Sequence, residues 1–307
     1  MRGRRTVDIG MVGLGRMGGN MAERLHQAGH RVVCYDRDPD ARDGASGRGL
    51  ETADSLEHLA ETLPAPRTVW VMVPSGNPTE GTIAALADVL ERGDVVVDGG
   101  NSHYRDSQRR GADLLRHGIG LVDVGVSGGV WGLTEGYCIM AGGAPDQVAQ
   151  VSPALRTLAA TDHGYAHLGP LGAGHYAKMI HNGIEYGLMQ AYAEGFEMLR
   201  AKGEFNLDVS QVSELWRHGS VIRSWLLDLT AQALSEDHNL ADIQPWVEDS
   251  GEGRWTVEES VELAVPIPVI SMALQARFRS RQYDAFGFKL LAAMRRQFGG
   301  HPVRRRL

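Results

Sequence analysis

A glycine-rich turn near the N-terminus constrains this chain more than any other feature of its sequence. The segment Gly13–Gly18 has the spacing Gly-x-Gly-x-x-Gly, follows the apolar run Asp8–Val12 and opens the amphipathic segment Met17–Gln27. In such a turn the first glycine permits a tight bend and the second lets a pyrophosphate approach the backbone. The third lets the helix pack closely on the strand. The motif therefore predicts a strand–turn–helix unit that binds a dinucleotide.

An acidic residue at the end of the next apolar run indicates which dinucleotide is bound. The run Arg31–Asp36 ends in a carboxylate, at the distance from the glycine turn that the motif requires. A carboxylate there accepts hydrogen bonds from the adenosine ribose hydroxyls and repels a 2′-phosphate, which favours NAD over NADP. The neighbouring Arg37 would favour NADP instead, since a guanidinium attracts a 2′-phosphate. We expect NAD, held by these residues: Gly13, Gly15, Arg16, Met17, Gly18, Asp36, Arg37, Val73 and Asn101.

Strand-like and helical segments alternate along the first half of the chain. Several strands are continuous apolar runs, as expected where helices cover both faces of a sheet. The alternation predicts an α/β Rossmann domain with a doubly wound, mainly parallel sheet over residues 1–172. Helical periodicity predicts an all-helical domain with a C-terminal tail over residues 173–307. The expected strands are Asp8–Val12, Arg31–Asp36, Thr68–Val73, Val95–Asp98, Ile119–Val124 and Tyr137–Ala141. The expected later helices are His175–Ala201, Val209–His218, Ile222–Leu234, Thr256–Leu263, Val269–Arg279 and Ala285–Phe298.

Composition excludes several other classes of protein. The net charge of −7 argues against nucleic acid as a partner. The two cysteines, Cys34 and Cys138, lie far apart without metal-ligand spacing, so we expect neither a disulfide framework nor a metal site. No apolar run approaches the roughly 20 residues of a membrane helix, and the residues before the glycine turn contain no separate apolar segment, so we do not expect them to be a signal peptide. We therefore expect a cytoplasmic protein that does not interact with membranes.

A stripe of polar residues marks one face of the predicted long helix. Lys178, His181, Asn182 and Glu185 stand at positions i, i+3, i+4 and i+7, with Tyr186 beside them. One interpretation is a solvated face with a weak Lys–Glu pair. The other is a catalytic face, because a base, an imidazole, an amide and an acid differ from the repeated Glu and Lys of a solvated helix. A lysine and a glutamate about 10 Å apart along the axis could act on opposite ends of a small substrate.

These motifs, together with the segments between them, resemble 6-phosphogluconate dehydrogenase, in particular the short branch of that family with a single helical domain. The resemblance extends over nearly the whole chain in order, and its most specific element is the run Lys178–Tyr186. The other resembling segments are Gly13–Gly18 with Asn20, Asp98–Ser102, Gly125–Gly129, Glu135–Gly136, Gly253–Thr256, Ala276–Arg277 and Arg295–His301.

The resemblance implies an oxidative decarboxylation of 6-phosphogluconate by two residues of the stripe. Lys178 matches the family's general base, which takes the proton of the substrate's 3-hydroxyl as hydride leaves C3 for the nicotinamide. Glu185 matches the family's acid, which protonates the enol that forms after carbon dioxide is lost, yielding ribulose 5-phosphate. His181 and Asn182 complete the expected catalytic set.

The resemblance also implies a set of residues that hold the substrate. Asn101, Ser127, Gly128 and Gly129 match positions around the sugar acid and the nicotinamide. Positions that bind the phosphate are matched by Tyr186 and Arg277, and a guanidinium fork suits phosphate. Arg295 and His301 match a tail that reaches the partner subunit's active site, which implies a homodimer or a higher homo-oligomer.

The sequence differs from the long form of the family at the phosphate site. Ser250 stands where the long form has a phosphate-binding lysine, and Glu252 where it has a threonine, so Arg254 becomes a further candidate phosphate ligand. Two alternatives to the phosphogluconate reaction remain. Related β-hydroxyacid dehydrogenases, such as those acting on 3-hydroxyisobutyrate or tartronate semialdehyde, typically have two asparagines after the helix lysine. A dinucleotide-binding protein without catalytic activity would need no Lys178–Glu185 pair.

Overall fold

The computed structural model describes residues 6–299 and 302–304. The chain divides into two compact units, residues 1–181 and residues 182–307. The first unit is an α/β unit and the second is helical. The expected order of an α/β Rossmann domain followed by an all-α domain is confirmed.

Eight strands form one sheet in the first unit. They are β1 Asp8–Val12, β2 Arg31–Tyr35, β3 Glu51–Thr52, β4 Thr68–Val71, β5 Val95–Asp98, β6 Gly120–Ser127, β7 Cys138–Gly142 and β8 Tyr165–Gly169. Their order across the sheet is β3-β2-β1-β4-β5-β6-β7-β8, and every neighbouring pair is parallel except β6 and β7. The direction of winding reverses between β1 and β4, and ligands of such sheets bind at the carboxyl ends of the strands next to that point.

Helices cover both faces of this sheet. They are α1 Arg16–Gln27, α2 Pro39–Gly47, α3 Leu56–Thr62, α4 Asn77–Val89, α5 Tyr104–Arg116, α6 Gly132–Glu135 and α7 Pro145–Leu158. Val95 and Val97 belong to one buried cluster while Val96, between them, belongs to another. Because successive strand residues point to opposite faces, both faces of β5 are buried. The continuous apolar runs of the sequence follow from this arrangement.

The second unit is built from helices. The long helix α8, Ala173–Ala201, begins in the first unit and continues into the second, and α9 Val209–Arg217, α10 Trp225–Glu236, α11 Glu252–Glu262, α12 Pro268–Ser280 and α13 Phe286–Gly299 follow. A small buried cluster joins Tyr186 of α8 with Ala273 and Leu274 of α12. Among the described residues, no helix combines the length and the apolar character that crossing a membrane requires.

Candidate active site

The glycine turn between β1 and α1 is shaped by close backbone approach. Gly13 has a φ of +96° and donates its N–H to the carbonyl of Tyr35 at 2.9 Å. A Cβ atom at Gly13 would lie 2.5 Å from the carbonyl oxygen of Met72, and one at Gly18 would lie 1.9 Å from the carbonyl oxygen of Gly13. Neither position can therefore hold a larger residue without moving the backbone.

Gly15, the middle glycine of the turn, faces open space. A Cβ there would meet no atom within 4 Å. Gly15 caps α1 without any side-chain hydrogen bond, so the first N–H groups of this helix remain available to an anion. Arg16 is exposed and Met17 half-buried at the start of the helix. The turn fits the pyrophosphate of a dinucleotide because it offers space, N–H donors and the positive end of a helix dipole.

Asp36 follows β2 and holds a negative charge beside this turn. Its Oδ2 accepts from the backbone N–H of Leu14 at 2.7 Å and its Oδ1 from that of Asp38 at 2.9 Å. The half-buried carboxylate is thus fixed beside the turn that would hold the pyrophosphate, where it suits ribose hydroxyls. Arg37 is exposed. The half-buried Val73 lies against the same turn.

Asn101 is carried by a loop that a buried aspartate organises. Asp98, the last residue of β5, is fully buried and accepts from the N–H of Gly100 at 3.2 Å and from the hydroxyl of Ser102 at 2.8 Å. The guanidinium of Arg110 donates to the same carboxylate at 3.2 Å. These bonds fix the loop, and Asn101 is exposed at the carboxyl end of the strand.

The start of α8 is attached to β6 by residues that sequence reasoning did not single out. The carboxylate of Asp123 is fully buried and accepts from the backbone N–H groups of Gly172 at 2.6 Å and His175 at 2.7 Å. The imidazole of His175 is buried and shares a hydrogen bond of 2.7 Å with the hydroxyl of Ser107. The available signal was an aspartate inside an apolar strand, because a buried carboxylate needs donors nearby.

Lys178 is buried where α8 packs on β6. Only 8% of the residue is exposed. The helix and the strand approach so closely that a Cβ atom at Gly125 would lie 2.4 Å from the Cβ of Lys178. One turn further on, Nε2 of His181 lies 3.4 Å from the hydroxyl oxygen of Ser127. The structure thus brings three expected site residues together in the first unit, and burial of the lysine excludes the interpretation of a solvated face at this end of the stripe.

Ser127 begins a glycine-rich loop between β6 and β7. Gly128 and Gly129 follow it, with φ values of +139° and +54° that favour glycine. A Cβ atom at Gly132 would lie 1.8 Å from the ring of Tyr137. The loop therefore wraps tightly around a buried aromatic ring, and burial raises the pKa of the Tyr137 phenol to about 12.

The remaining stripe residues lie on α8 within the second unit. Asn182 is buried, with 8% exposed, and Glu185 is half-buried. A Cβ atom at Gly183 would lie 2.8 Å from Cγ2 of Thr256, so this glycine lets α11 approach α8 closely. The two expected proton-transfer residues, Lys178 and Glu185, are thus carried by one helix, with Glu185 seven positions after Lys178.

Tyr186 and Arg277 meet as the resemblance implies for a phosphate site. The guanidinium carbon of Arg277 lies 3.5 Å from the centre of the Tyr186 ring. The phenol oxygen accepts from the backbone N–H of Ser250 at 3.3 Å, which leaves its own proton available to another acceptor. A Cβ atom at Gly253 would lie 2.5 Å from the same ring, so the backbone of α11 packs on it.

The residues that differ from the long form lie beside this ring. The hydroxyl of Ser250 donates to Oε2 of Glu252 at 2.5 Å, and Glu252 is 2% exposed. In the described part of the chain, Oε1 of Glu252 is buried without a hydrogen-bond partner. Arg254 makes two hydrogen bonds, of 2.6 and 3.0 Å, with the carboxylate of Asp249. These bonds, followed by one from Arg281, lower the pKa of Asp249.

The expected site also includes two residues near the C-terminus, Arg295 and His301. Arg295 is exposed on α13, and His301 lies outside the described residues. Helix α13 also exposes large apolar side chains, among them Phe286 at 74% and Phe288 at 57%.

The fold and the geometry of the turn are those of a dinucleotide-binding protein with a Rossmann domain followed by a helical domain. Residues 8–169 match the profile of the NAD binding domain of 6-phosphogluconate dehydrogenase, and residues 174–286 match that of its C-terminal domain. The chain belongs to the 6-phosphogluconate dehydrogenase family.

Relatives of full length and a solved structure agree with this membership. YqeC of Bacillus subtilis is 42% identical over 300 residues, covering 98% of this chain and 100% of the relative. The NAD(+)-dependent, decarboxylating 6-phosphogluconate dehydrogenase of Haloferax volcanii is 41% identical over 301 residues, covering 98% and 99%. The 6-phosphogluconate dehydrogenase of Plasmodium falciparum has a similar structure, with a TM-score of 0.83 and 29% identity. The match covers 95% of this chain and 65% of the Plasmodium chain.

Proposed function

We propose that this chain catalyses the NAD-dependent oxidative decarboxylation of 6-phosphogluconate to ribulose 5-phosphate and carbon dioxide. Its family and the Haloferax volcanii relative, which is named as an NAD(+)-dependent and decarboxylating enzyme, support the reaction. The observation that carries the assignment to this chain is the pair of proton-transferring side chains on α8, a buried Lys178 and a half-buried Glu185 seven residues later.

The residues around the glycine turn fit NAD. Gly13, Gly15 and Gly18 shape the turn, the N–H groups at the start of α1 would hold the pyrophosphate, and Asp36 would accept from the ribose hydroxyls. Arg16, Met17, Arg37, Val73 and Asn101 are proposed to line the rest of the binding site. Bound NAD supplies the acceptor for the hydride that the substrate loses from C3.

Lys178 carries out the first proton transfer in the proposed mechanism. Its amine takes the proton of the 3-hydroxyl while the C3–H bond breaks, so that C3 becomes a ketone. Only 8% of the residue is exposed, so little bulk water reaches the amine that acts as the base. Ser127, Gly128, Gly129 and His181 are proposed to hold the sugar acid in the orientation that this transfer needs.

Glu185 completes the reaction. The 3-ketone accepts the electron pair that is released when the C1–C2 bond breaks and carbon dioxide leaves, and Lys178 returns its proton to the oxygen at C3, which gives an enediol. The carboxyl group of Glu185 then protonates the carbon that becomes C1 of ribulose 5-phosphate, while the neighbouring hydroxyl returns its proton to Lys178 and becomes the ketone of the product. The amide of Asn182, buried one turn before Glu185, is proposed to hold the oxygen atoms at these carbons.

Tyr186 and Arg277 are proposed to bind the phosphate group. The phenol has its proton available, and the guanidinium beside it supplies positive charge and planar donors. Arg254 is proposed to add charge at this position, although two of its hydrogen bonds go to Asp249. Arg295 and His301 are proposed to complete the site from a second copy of the chain, in a homodimer or a larger homo-oligomer.

The domain boundary at 172/173 and a cytoplasmic location remain predictions.

A steady-state comparison tests this function. We expect purified protein to reduce NAD with 6-phosphogluconate and to release one carbon dioxide for each NADH formed. Reduction of NADP should be slower under the same conditions, and 3-hydroxyisobutyrate should not be oxidised. Turnover of 3-hydroxyisobutyrate without turnover of 6-phosphogluconate would show that the chain acts on unphosphorylated hydroxy acids instead.

A further inference from the structure

The guanidinium of Arg24, on the helix that begins at the glycine turn, holds two other helix ends in place. Its Nε donates to the carbonyl of Thr157 at 3.1 Å and its Nη2 to that of Ala159 at 3.3 Å, both at the end of α7. Its Nη1 donates to the carbonyl of Leu133 in α6 at 3.1 Å. Carbonyl groups at helix ends lack partners within the helix and carry partial negative charge, so a cation with a planar set of donors satisfies them well.

Two further contacts connect α1 to the loop Ser127–Gly136. The side-chain amide of Asn20, one turn before Arg24, donates to the carbonyl of Val130 at 3.3 Å. A Cβ atom at Gly136 would lie 2.8 Å from Nη2 of Arg24, so the end of the loop is pressed against the guanidinium. Asn20 and Arg24 stand at i and i+4, on one face of α1. This face of α1 therefore contacts the loop at its middle, at Val130, and at its end, at Gly136.

The opposite side of the loop is fixed by the ring of Tyr137. Cβ atoms at Gly128 and Gly132 would lie 3.2 and 1.8 Å from this ring. The loop is thus held between a buried aromatic ring and two polar side chains of α1. Removal of these polar contacts loosens the loop on the side of α1, whereas the apolar packing that buries Tyr137 remains.

We propose that Arg24, assisted by Asn20, is a positioning residue that sets the substrate loop Ser127–Gly129 against the cofactor helix. The helix that would receive the pyrophosphate at its first turn carries Asn20 one turn later and Arg24 two turns later, and these side chains hold the loop that is proposed to bind the sugar acid. One rigid helix thereby fixes the distance between the two binding elements. The inference rests on the proposed function, since it names what orients the substrate in that site.

Three variants test this role against a matched control. Arg24→Gln removes the charge and most of the donors, Arg24→Lys keeps the charge without the planar fork, and Asn20→Ala removes only the contact to Val130. The control is Arg116→Gln, the same chemical change at a surface arginine of α5 that pairs with Asp113 at 3.2 Å. Each full-length variant is characterised by KM and kcat with 6-phosphogluconate, the Kd of NADH and the melting temperature.

We expect Arg24→Gln to raise the KM for 6-phosphogluconate about tenfold while the Kd of NADH changes less than about twofold, because a small displacement of a substrate-orienting group is costly. The KM of Arg24→Lys should lie between that of Arg24→Gln and that of the wild type. Asn20→Ala should raise KM about threefold without a change in melting temperature. A lower melting temperature with an unchanged KM in all three variants would show that the contacts only stabilise the fold.

Hydrogen–deuterium exchange separates this inference from the proposed function. In Arg24→Gln, the amides of residues 127–136 should exchange faster than in wild type and in Arg116→Gln, with or without any substrate. Unchanged exchange would overturn the positioning role even in an active enzyme. If the loop exchanges faster but the wild type does not oxidise 6-phosphogluconate, the proposed function fails and the anchoring of the loop stands.

Discussion

The carboxylate of Asp36 accepts a hydrogen bond from the backbone amide of Leu14, with 2.7 Å between Oδ2 and the nitrogen. Leu14 lies between the first two glycines of the turn, so the acidic residue at the end of β2 is joined directly to the loop that would bind the pyrophosphate. Its position is therefore set by the loop, and the negative charge cannot swing away to admit a 2′-phosphate without breaking this bond.

Asp36→Ser should reduce the preference for NAD. The serine removes a charged acceptor for the ribose hydroxyls, and hydrogen bonds to charged groups contribute about 1.5–3 kcal/mol. We expect kcat/KM with NAD to fall about tenfold or more and kcat/KM with NADP to stay equal or rise. Asp38→Ser is the control, since Asp38 caps α2 with its side chain and a serine can replace that cap. Equal NAD and NADP rates in wild type, unchanged in Asp36→Ser, would remove the electrostatic explanation of the preference.

The glycine turn, the sheet and the long helix could be predicted from sequence because local patterns determine them. Apolar runs indicated six of the eight strands, and polar spacing indicated the face of α8. Strands β3 and β8 were not predicted, because their residues are exposed or half-buried and form no apolar run. Helix ends were less predictable. α11 begins at Glu252, four residues before the expected start at Thr256, because Gly251 supplies a backbone φ of +104° before it. α10 begins at Trp225, later than the expected Ile222, because the Ser224 hydroxyl caps it by accepting from Leu227.

Contacts between distant segments could not be predicted in the same way. The hydrogen bonds that Asp123 accepts at the start of α8, and those that Arg24 donates to α6 and α7, join residues far apart in the chain. A sequence shows the residue type at such positions but not its partner. Arg254 is an example. Its position in the sequence predicted a phosphate ligand, whereas its bidentate contact with Asp249 could be seen only in the structure.

Lys178→Met should abolish turnover without impairing cofactor binding. Methionine has nearly the length of the lysine side chain but no group that accepts a proton. General bases contribute about a thousandfold to rate, so kcat should fall by about that factor. NADH should bind with an unchanged Kd, as judged by fluorescence titration. Lys202→Met, at an exposed lysine beyond the end of α8, is the control and should keep wild-type kcat. A fully active Lys178→Met variant would exclude this residue as the base.

Gly125→Ala should move the base without replacing it. The new Cβ would lie 2.4 Å from the Cβ of Lys178, which no rotation of the lysine side chain relieves. We expect α8 to shift, at a cost of about 1–3 kcal/mol in unfolding free energy, and kcat to fall about tenfold. Gly44→Ala is the matched control, because a Cβ at Gly44 in α2 meets no atom within 4 Å. Wild-type kcat in Gly125→Ala would mean that the position of Lys178 tolerates displacement.

Glu80 should make the stability of the first unit depend on pH. Hydrogen bonds from Arg109, and further ones from Arg110, lower the pKa of this carboxyl from 4.5 to about 2. Its stabilising contribution is therefore present above pH 4.5 and is lost as the pH falls through about 2. Melting temperatures of wild type and Glu80→Gln should differ most near neutral pH, and the difference should become smaller as the pH is lowered from 4.5 toward about 3. A constant difference over this range would contradict the assignment, and Glu61→Gln, at an exposed glutamate of α3, serves as the control.

Truncation after Gln297 should impair substrate binding far more than NAD binding. The resemblance assigns His301 to the active site of a partner subunit, and α13, just before it, exposes Phe286 and Phe288, which a second copy of the chain would cover. Loss of the tail then removes a substrate contact but leaves the glycine turn untouched. We expect the KM for 6-phosphogluconate to rise at least about tenfold and the KM for NAD to change less than about twofold. His301→Ala should reproduce most of the effect, whereas the exposed Arg304→Gln should not. If both KM values rise equally, the tail supports the fold and does not reach the substrate.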